Sequence, residues 1–163
     1  METLVCTVIV GVGATACTDL WALARRRLLG TPLPNYRLVG RWFAHLAHGR
    51  FRHDSIAAAV PVRGEATIGW IAHYLTGIAF AALLLAAWGL AWVRQPTLGP
   101  ALLVGIATVA APMLILQPGM GAGIAARRTA RPNAARLQSV VTHAVFGGGL
   151  YAAGWLARSF LVC

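Results

Sequence analysis

The stretch TLVCTVIVGVGATACTDLWALARRR, Thr3 to Arg27, decides the fold. From Leu4 to Ala24 its only charged side chain is Asp19, and it stops at Arg25-Arg26-Arg27. About 20 apolar residues in helical form cross the hydrocarbon core of a bilayer. Residues 3–24 therefore read as a membrane span. A carboxylate inside such a span costs roughly 2.5–3.5 kcal/mol on insertion scales, so Asp19 calls for a partner or a purpose.

Three further stretches have the same character: Ala66 to Val93, Leu98 to Leu116, and Leu137 to Ala157. Of the 163 residues, 58% are hydrophobic and 11% charged, against about 25% charged in a soluble domain. The apolar residues come in blocks, without the 3.6-residue stripe of a soluble core helix. The expected fold is all-α: one membrane domain, 1–163, with four transmembrane helices in a bundle.

The net charge of +10 comes from arginine, since the chain has no lysine. The loop 25–65 holds eight arginines, the turn after span two one, the loop 117–136 four, the N-terminal tail none and the C-terminal tail one. Positive loops stay cytoplasmic. The alternation predicts a multi-pass protein with both termini outside, in the periplasm of a bacterial inner membrane, and both long loops in the cytoplasm. The arginines suit anionic lipid headgroups; Arg25, Arg26, Arg27, Arg37 and Arg41 are the candidate lipid- or partner-facing set. Nucleic-acid binding is disfavoured, because removing the spans leaves no soluble basic domain.

Cys6, Cys17 and Cys163 form no CxxC pair, which argues against a zinc finger or a thioredoxin motif. Cys6 and Cys163 fall on one side of the membrane, where a disulfide is open to them; unpaired thiols are the plainer reading. Met1-Glu2-Thr3 lacks the positive start of a secretory signal, and Ala14-Thr15-Ala16-Cys17 lacks the usual lipoprotein leucine, so span one reads as retained. Gly11-Val12-Gly13-Ala14-Thr15-Ala16 imitates a dinucleotide fingerprint but follows no strand.

In the first loop, Pro32 and Pro34 interrupt the helix leaving span one. Arg37 to His48 then shows helical spacing, with Arg37, Arg41, His45 and His48 on one face and Leu38, Val39, Trp42, Phe43 and Leu46 on the other. This suits a helix lying in the membrane interface with its basic face on the headgroups. His45 and His48 with His53-Asp54 make a weak metal set, lacking a second cluster. The third span carries Pro100 and Pro112, and Gln117-Pro118-Gly119-Met120-Gly121 follows it. The favoured expectation is an ordinary, uninterrupted helix with a glycine-rich end; the alternative is a kink near Pro112 with a re-entrant or interfacial turn at Gly119 to Gly123. Trp42, Trp70, Trp88, Trp92, Trp155 and Tyr151 read mainly as interfacial belts.

The halves echo one another. Val10-Gly11 with Ala14-Thr15 resembles Val104-Gly105 with Ala107-Thr108, one residue out of step. His73 and Gly77 match His143 and Gly147 as H-x-x-x-G. This suggests a parallel two-helix repeat.

Helical spacing defines a candidate site. Gly11, Thr15 and Asp19 share a face of span one; Gly69, His73 and Gly77 share one of span two; Ser139, His143 and Gly147 share one of span four. Small residues let helices approach, so these faces should point inward. At 1.5 Å per residue, Asp19, His73 and His143 lie about 9, 12 and 10 Å from the charged ends of their spans, in one layer. Gln117 lies near that layer. Asp19, His73, His143, Thr15 and Gln117 form the candidate intramembrane polar site, for a proton, a cation or a small solute. A structural role is the competing reading, with Asp19 paired to Arg25 or Arg26. A haem held axially by His73 and His143 is an alternative, and a structural or assembly subunit another. No paired carboxylates or nucleophile–base motif supports an enzyme. Four spans are few for a transporter, which points to a homodimer or a larger membrane complex.

Four segments together carry a resemblance. They are Gly13-Ala14-Thr15-Ala16-Cys17-Thr18-Asp19-Leu20-Trp21; Gly49-Arg50-Phe51-Arg52-His53-Asp54-Ser55-Ile56-Ala57-Ala58-Ala59; Gly69-Trp70-Ile71-Ala72-His73-Tyr74; and Gln117-Pro118-Gly119-Met120-Gly121. In this order the chain resembles the bacterial membrane-protein family known as domain of unknown function 2938. The resemblance implies a small integral membrane protein and supplies no activity or ligand.

Overall fold

A computed structural model describes residues 1–160. Cys163, and with it any pairing to Cys6, lies outside the described residues. Among those residues there are helices and no strands. Four helices are long and apolar enough to cross a membrane: α1 (Glu2–Leu29), α3 (Glu65–Arg94), α4 (Leu98–Gly119) and α5 (Pro132–Arg158). The short helix α2 (Tyr36–Ala47) lies between α1 and α3. Leu4, Leu20, Leu75, Leu83, Leu103, Leu114 and Leu156 are each more than half exposed. Exposed leucines on four long apolar helices suit surfaces that meet lipid. The chain is an all-α membrane protein.

The helices outrun the spans read from sequence. α1 continues past Ala24 through the three arginines to Leu29, and Gly30 closes it at φ 64° with its N–H on the Arg26 carbonyl. Arginine is a good helix former, and its charge suits the negative end of the helix dipole. α5 starts at Pro132, five residues before the apolar block; proline is well placed in a first turn, where its missing N–H is no loss. α3 is broken at Gly89 (φ 65°). α4 carries a π-helical turn over Pro112–Leu116, because proline cannot supply the N–H that would continue the α-helical ladder. The chain then turns at Gly121 (φ 97°) and Gly123 (φ 74°). The kink and the glycine turn replace the uninterrupted helix.

The chain divides into two compact units, each made of separated stretches. The first comprises Met1–Leu33, Tyr74–Thr108 and the chain from Val141; the second comprises Pro34–His73 and Val109–Val140. The core of the first unit is built from Val10 and Ala14 of α1, Ala81, Leu84 and Val93 of α3, Ala101 of α4, and Phe146, Leu150 and Ala157 of α5. Trp92 belongs to this core, its indole N–H on the Thr97 carbonyl at 3.1 Å. Trp42, in the second unit, is 3% exposed. Both were expected in interfacial belts. Each is instead drawn inward by a carbonyl that satisfies its N–H.

Glycine crossings set the helix spacing in the first unit, and they recur. A Cβ on Gly11 would lie 2.5 Å from the Ile78 Cα and 3.0 Å from the Gly77 carbonyl oxygen. A Cβ on Gly105 would lie 2.5 Å from the Gly147 Cα. Thr15 donates to the Gly11 carbonyl and Thr108 to the Gly105 carbonyl, both at 2.7 Å. The two halves of the sequence echo thus use the same glycine–glycine contact, α1 on α3 and α4 on α5. The one-residue offset puts Thr15 four residues, and Thr108 three, after its glycine.

Gly105→Ala is therefore expected to destabilise the protein by about 1–3 kcal/mol, the usual cost of forcing atoms into a packed contact. Gly99→Ala, with open space around its Cβ position, should leave stability unchanged. Thermal melts of the two variants in detergent check the contrast.

Candidate functional site

Asp19 lies one turn beyond Thr15 on α1. The Tyr74 hydroxyl of α3 donates to its Oδ2 at 2.9 Å. A phenol is an apolar body with a polar tip, so it can satisfy a carboxylate inside an apolar layer. Thr15 is 1% exposed, and its hydroxyl oxygen would overlap a Cβ on Gly77. Its role is to seat α1 on α3, with its proton spent on the Gly11 carbonyl.

His73 precedes Tyr74 on α3, and its partner is also a tyrosine. The Tyr36 hydroxyl lies 3.0 Å from His73 Nε2, and the two rings stack with centroids 4.3 Å apart. Trp70 meets the same imidazole edge-on at 5.9 Å. Axial haem ligation through His73 Nε2 would have to displace the Tyr36 hydroxyl and the ring stacked beside it. The arrangement does not fit the bis-histidine haem alternative.

His143 faces α4. Its Nδ1 lies 3.1 Å from both the Gly105 carbonyl and the Thr108 hydroxyl. Thr108 already spends its proton on the Gly105 carbonyl, so Nδ1 is the donor and carries the ring hydrogen. The lone pair of the neutral ring is then on Nε2. Phe80 and Phe146 flank the imidazole with centroids at 6.3 and 6.5 Å. Gln117 donates to Ser139 across 3.4 Å, while its Oε1 is buried without a partner among the described residues.

Of the five residues singled out from sequence, Thr15 is buried, and Asp19, His73, Gln117 and His143 are partly buried. The partners of the titratable ones came from elsewhere: Tyr36, Tyr74, Thr108 and the Gly105 carbonyl. Tyr74 sits one residue, about 100° of helix, from the face that carries His73. A same-face search therefore passes over it.

The second unit holds the strongest electrostatic feature. Gly40 of α2 and Gly69 of α3 cross so closely that a Cβ on Gly40 would overlap the Glu65 carbonyl, and one on Gly69 the Tyr36 carbonyl. This brings Arg41 onto Glu65. Arg41 Nε donates to Oε2 at 2.8 Å and Nη2 to Oε1 at 3.1 Å. Arg41 Nη1 reaches the carbonyls of Ile56, Ala57 and Ala59 at 3.2, 3.2 and 2.9 Å. The Val62 N–H adds a sixth strut, to Glu65 Oε2 at 3.2 Å. Hydrogen bonding to Glu65 raises the Arg41 pKa further above its ordinary value. Arg41 is 8% exposed, so it is withdrawn from the basic surface assigned to it. Arg37 keeps a side chain 68% exposed while touching Glu65 at 3.1 Å. Arg41 alone of the polar face of α2 is buried, because a carboxylate and three carbonyls wait for it there, while Arg37 and His48 stay exposed.

The loop after α2 continues this scaffold. Trp42 Nε1 donates to the Phe51 carbonyl at 2.8 Å. The His53 N–H donates to the Gly119 carbonyl at 3.0 Å, and the Ile56 N–H to that of Met120 at 3.1 Å. A Cβ on Gly119 would overlap the Trp42 indole nitrogen, and one on Gly121 the Asp54 carbonyl. The segments 49–59 and 117–121, more than fifty residues apart in sequence, are one piece of structure. Among the described residues no three His, Cys, Asp or Glu side chains group to hold a metal ion.

A family model described as protein of unknown function DUF2938 matches residues 8–157. The chain belongs to this family. The match covers α3 and α4, most of α1 and α5, and both junctions just described, so the side chains of the site fall within the DUF2938 region. No curated protein and no solved structure matches the chain.

Proposed function

We propose that this DUF2938 protein is a small bacterial inner-membrane protein whose partly buried tyrosine–carboxylate and tyrosine–imidazole pairs handle a proton, and that Asp19 is the group that binds and releases it. The orientation follows the arginine distribution: both termini in the periplasm, both long loops in the cytoplasm against anionic headgroups. A homodimer or a larger membrane complex is the expected working form.

The observation that carries the reading is the 2.9 Å hydrogen bond from Tyr74 to Asp19, inside an apolar helix of 28 residues. Ionisable groups at that depth are costly and mark proton or ion pathways by default. His73 is the next residue to Tyr74, and it has its own phenol at 3.0 Å. Two phenols, a carboxylate and an imidazole are all able to exchange protons.

Proton flux into proteoliposomes, followed with an internal pH dye under an imposed potential, tests this. Wild-type protein should exceed empty vesicles. Asp19→Asn should lower the flux by about tenfold or more, because an amide cannot release a proton, and Tyr74→Phe should lower it less. Equal flux from wild type and Asp19→Asn would count against the reading. The glycine crossings favour a second reading, a structural or assembly subunit. In that case Asp19→Asn and His143→Ala leave complex formation intact while Gly105→Ala does not.

A further inference from the structure

The interface of α2, the loop after it and the turn after α4 contains a pair of facing histidines that neither the ion pair nor the intramembrane groups explain. His45 Nδ1 lies 2.8 Å from His53 Nε2. At the outer ends of the pair, His45 Nε2 lies 3.1 Å from the Val60 carbonyl and His53 Nδ1 lies 3.2 Å from the Gly119 carbonyl. His53 is 9% exposed.

The proton count follows from these partners. A carbonyl only accepts, so His45 Nε2 and His53 Nδ1 must each carry a hydrogen. The central nitrogen-to-nitrogen contact is a hydrogen bond only with one proton between the rings. Three hydrogens on two imidazoles leave one positive charge. We propose that His45 and His53 form a proton-binding site, holding one shared proton that clips α2, the loop and the post-α4 turn together. This stands independently of the intramembrane reading, since it uses none of its residues.

A fourth hydrogen would set N–H against N–H and open the clip. Removing one of the three would cost only a single bond, so the arrangement is weakest on the acid side. The charged groups around the pair are unequal. On α2 these are Arg41, held by Glu65 of α3, and His48, whose Nδ1 is on the Ala44 carbonyl at 2.9 Å. On the loop they are Arg50, whose N–H meets the His45 carbonyl, and Arg52 and Asp54 either side of His53. The turn 117–123 brings none. The arginines oppose a second charge on the pair.

Hydrogen exchange on the full-length protein in anionic nanodiscs tests this, read at the amides of His53 and Ile56 and corrected for intrinsic exchange chemistry. Protection in the wild type should fall between pH 7.5 and pH 5 by about tenfold or more, the scale of losing one charge-assisted hydrogen bond. His53→Gln should remove that step. A wild type with no step, or a step that survives in His53→Gln, overturns the proposal. Should His53→Gln fail to fold, nitrogen-15 NMR of histidine-labelled wild type decides. One doubly protonated ring bonded to one neutral ring at pH 7.5 sustains the proposal, and two neutral rings overturn it.

Discussion

Glu65→Gln is expected to lower the melting transition by roughly 10 °C or more, the largest effect of any single side-chain change in the second unit. The substitution keeps shape and removes charge. Arg41 would remain 8% exposed with its carboxylate gone, and a buried cation stripped of its anion is strongly destabilising. Arg37→Ala removes a contact to the same carboxylate, at 3.1 Å, but from a side chain 68% exposed. Exposed pairs contribute little, so Arg37→Ala should melt close to wild type. Thermal melts of the two variants in detergent at neutral pH separate a charge that organises the unit from one that decorates its surface.

Gly40→Ala and Gly69→Ala should be nearly as damaging, for a steric reason. In each case the new methyl would overlap a backbone carbonyl of the opposite helix, Glu65 for Gly40 and Tyr36 for Gly69. Backbone cannot swing aside as a side chain can. The expected cost is at or above the upper end of the about 1–3 kcal/mol typical of overpacking. α2 must lift from α3, parting Arg41 from Glu65 and Tyr36 from His73 together. Melting temperature, with tryptophan fluorescence reporting Trp70 beside Tyr36, should move in both variants. A normal melt for either would mean that α2 is seated by something other than this crossing.

The four spans were legible in the sequence because length, apolar content and arginine spacing are local properties. The inward faces of Thr15, Gly77 and Gly147 were legible for the same reason. The direction of α2 was not. Its basic face resembles a headgroup-binding face until Glu65, 24 residues after Arg41, is brought alongside. Glu65 itself read only as the edge of a span. The candidate site was legible as residues but not as bonds. Asp19, His73 and His143 stood out by their cost in a membrane, whereas Tyr36 and Tyr74 cost little there and so gave no signal. The π-turn at Pro112 was visible as a break but not in its form, since a kink can resolve in several ways.

The division of the chain has a consequence for how the protein is made. Each unit draws on stretches that the other interrupts: the first needs both ends of the chain, and the second needs residues on either side of Tyr74–Thr108. The ribosome delivers the chain in order, so neither unit is complete until α5 is being synthesised. Until then α1 and α3 can already meet at Gly11 and Gly77, but the α1 surface at Ala14 lacks Gly149 of α5. A ribosome stalled before Pro132 would leave the Gly105 face of α4 without α5 and the His53–Gly119 junction without the helix that follows it. Such truncated chains should be substrates for membrane quality control, and the repeat, although visible in sequence, should not yield two halves that fold apart.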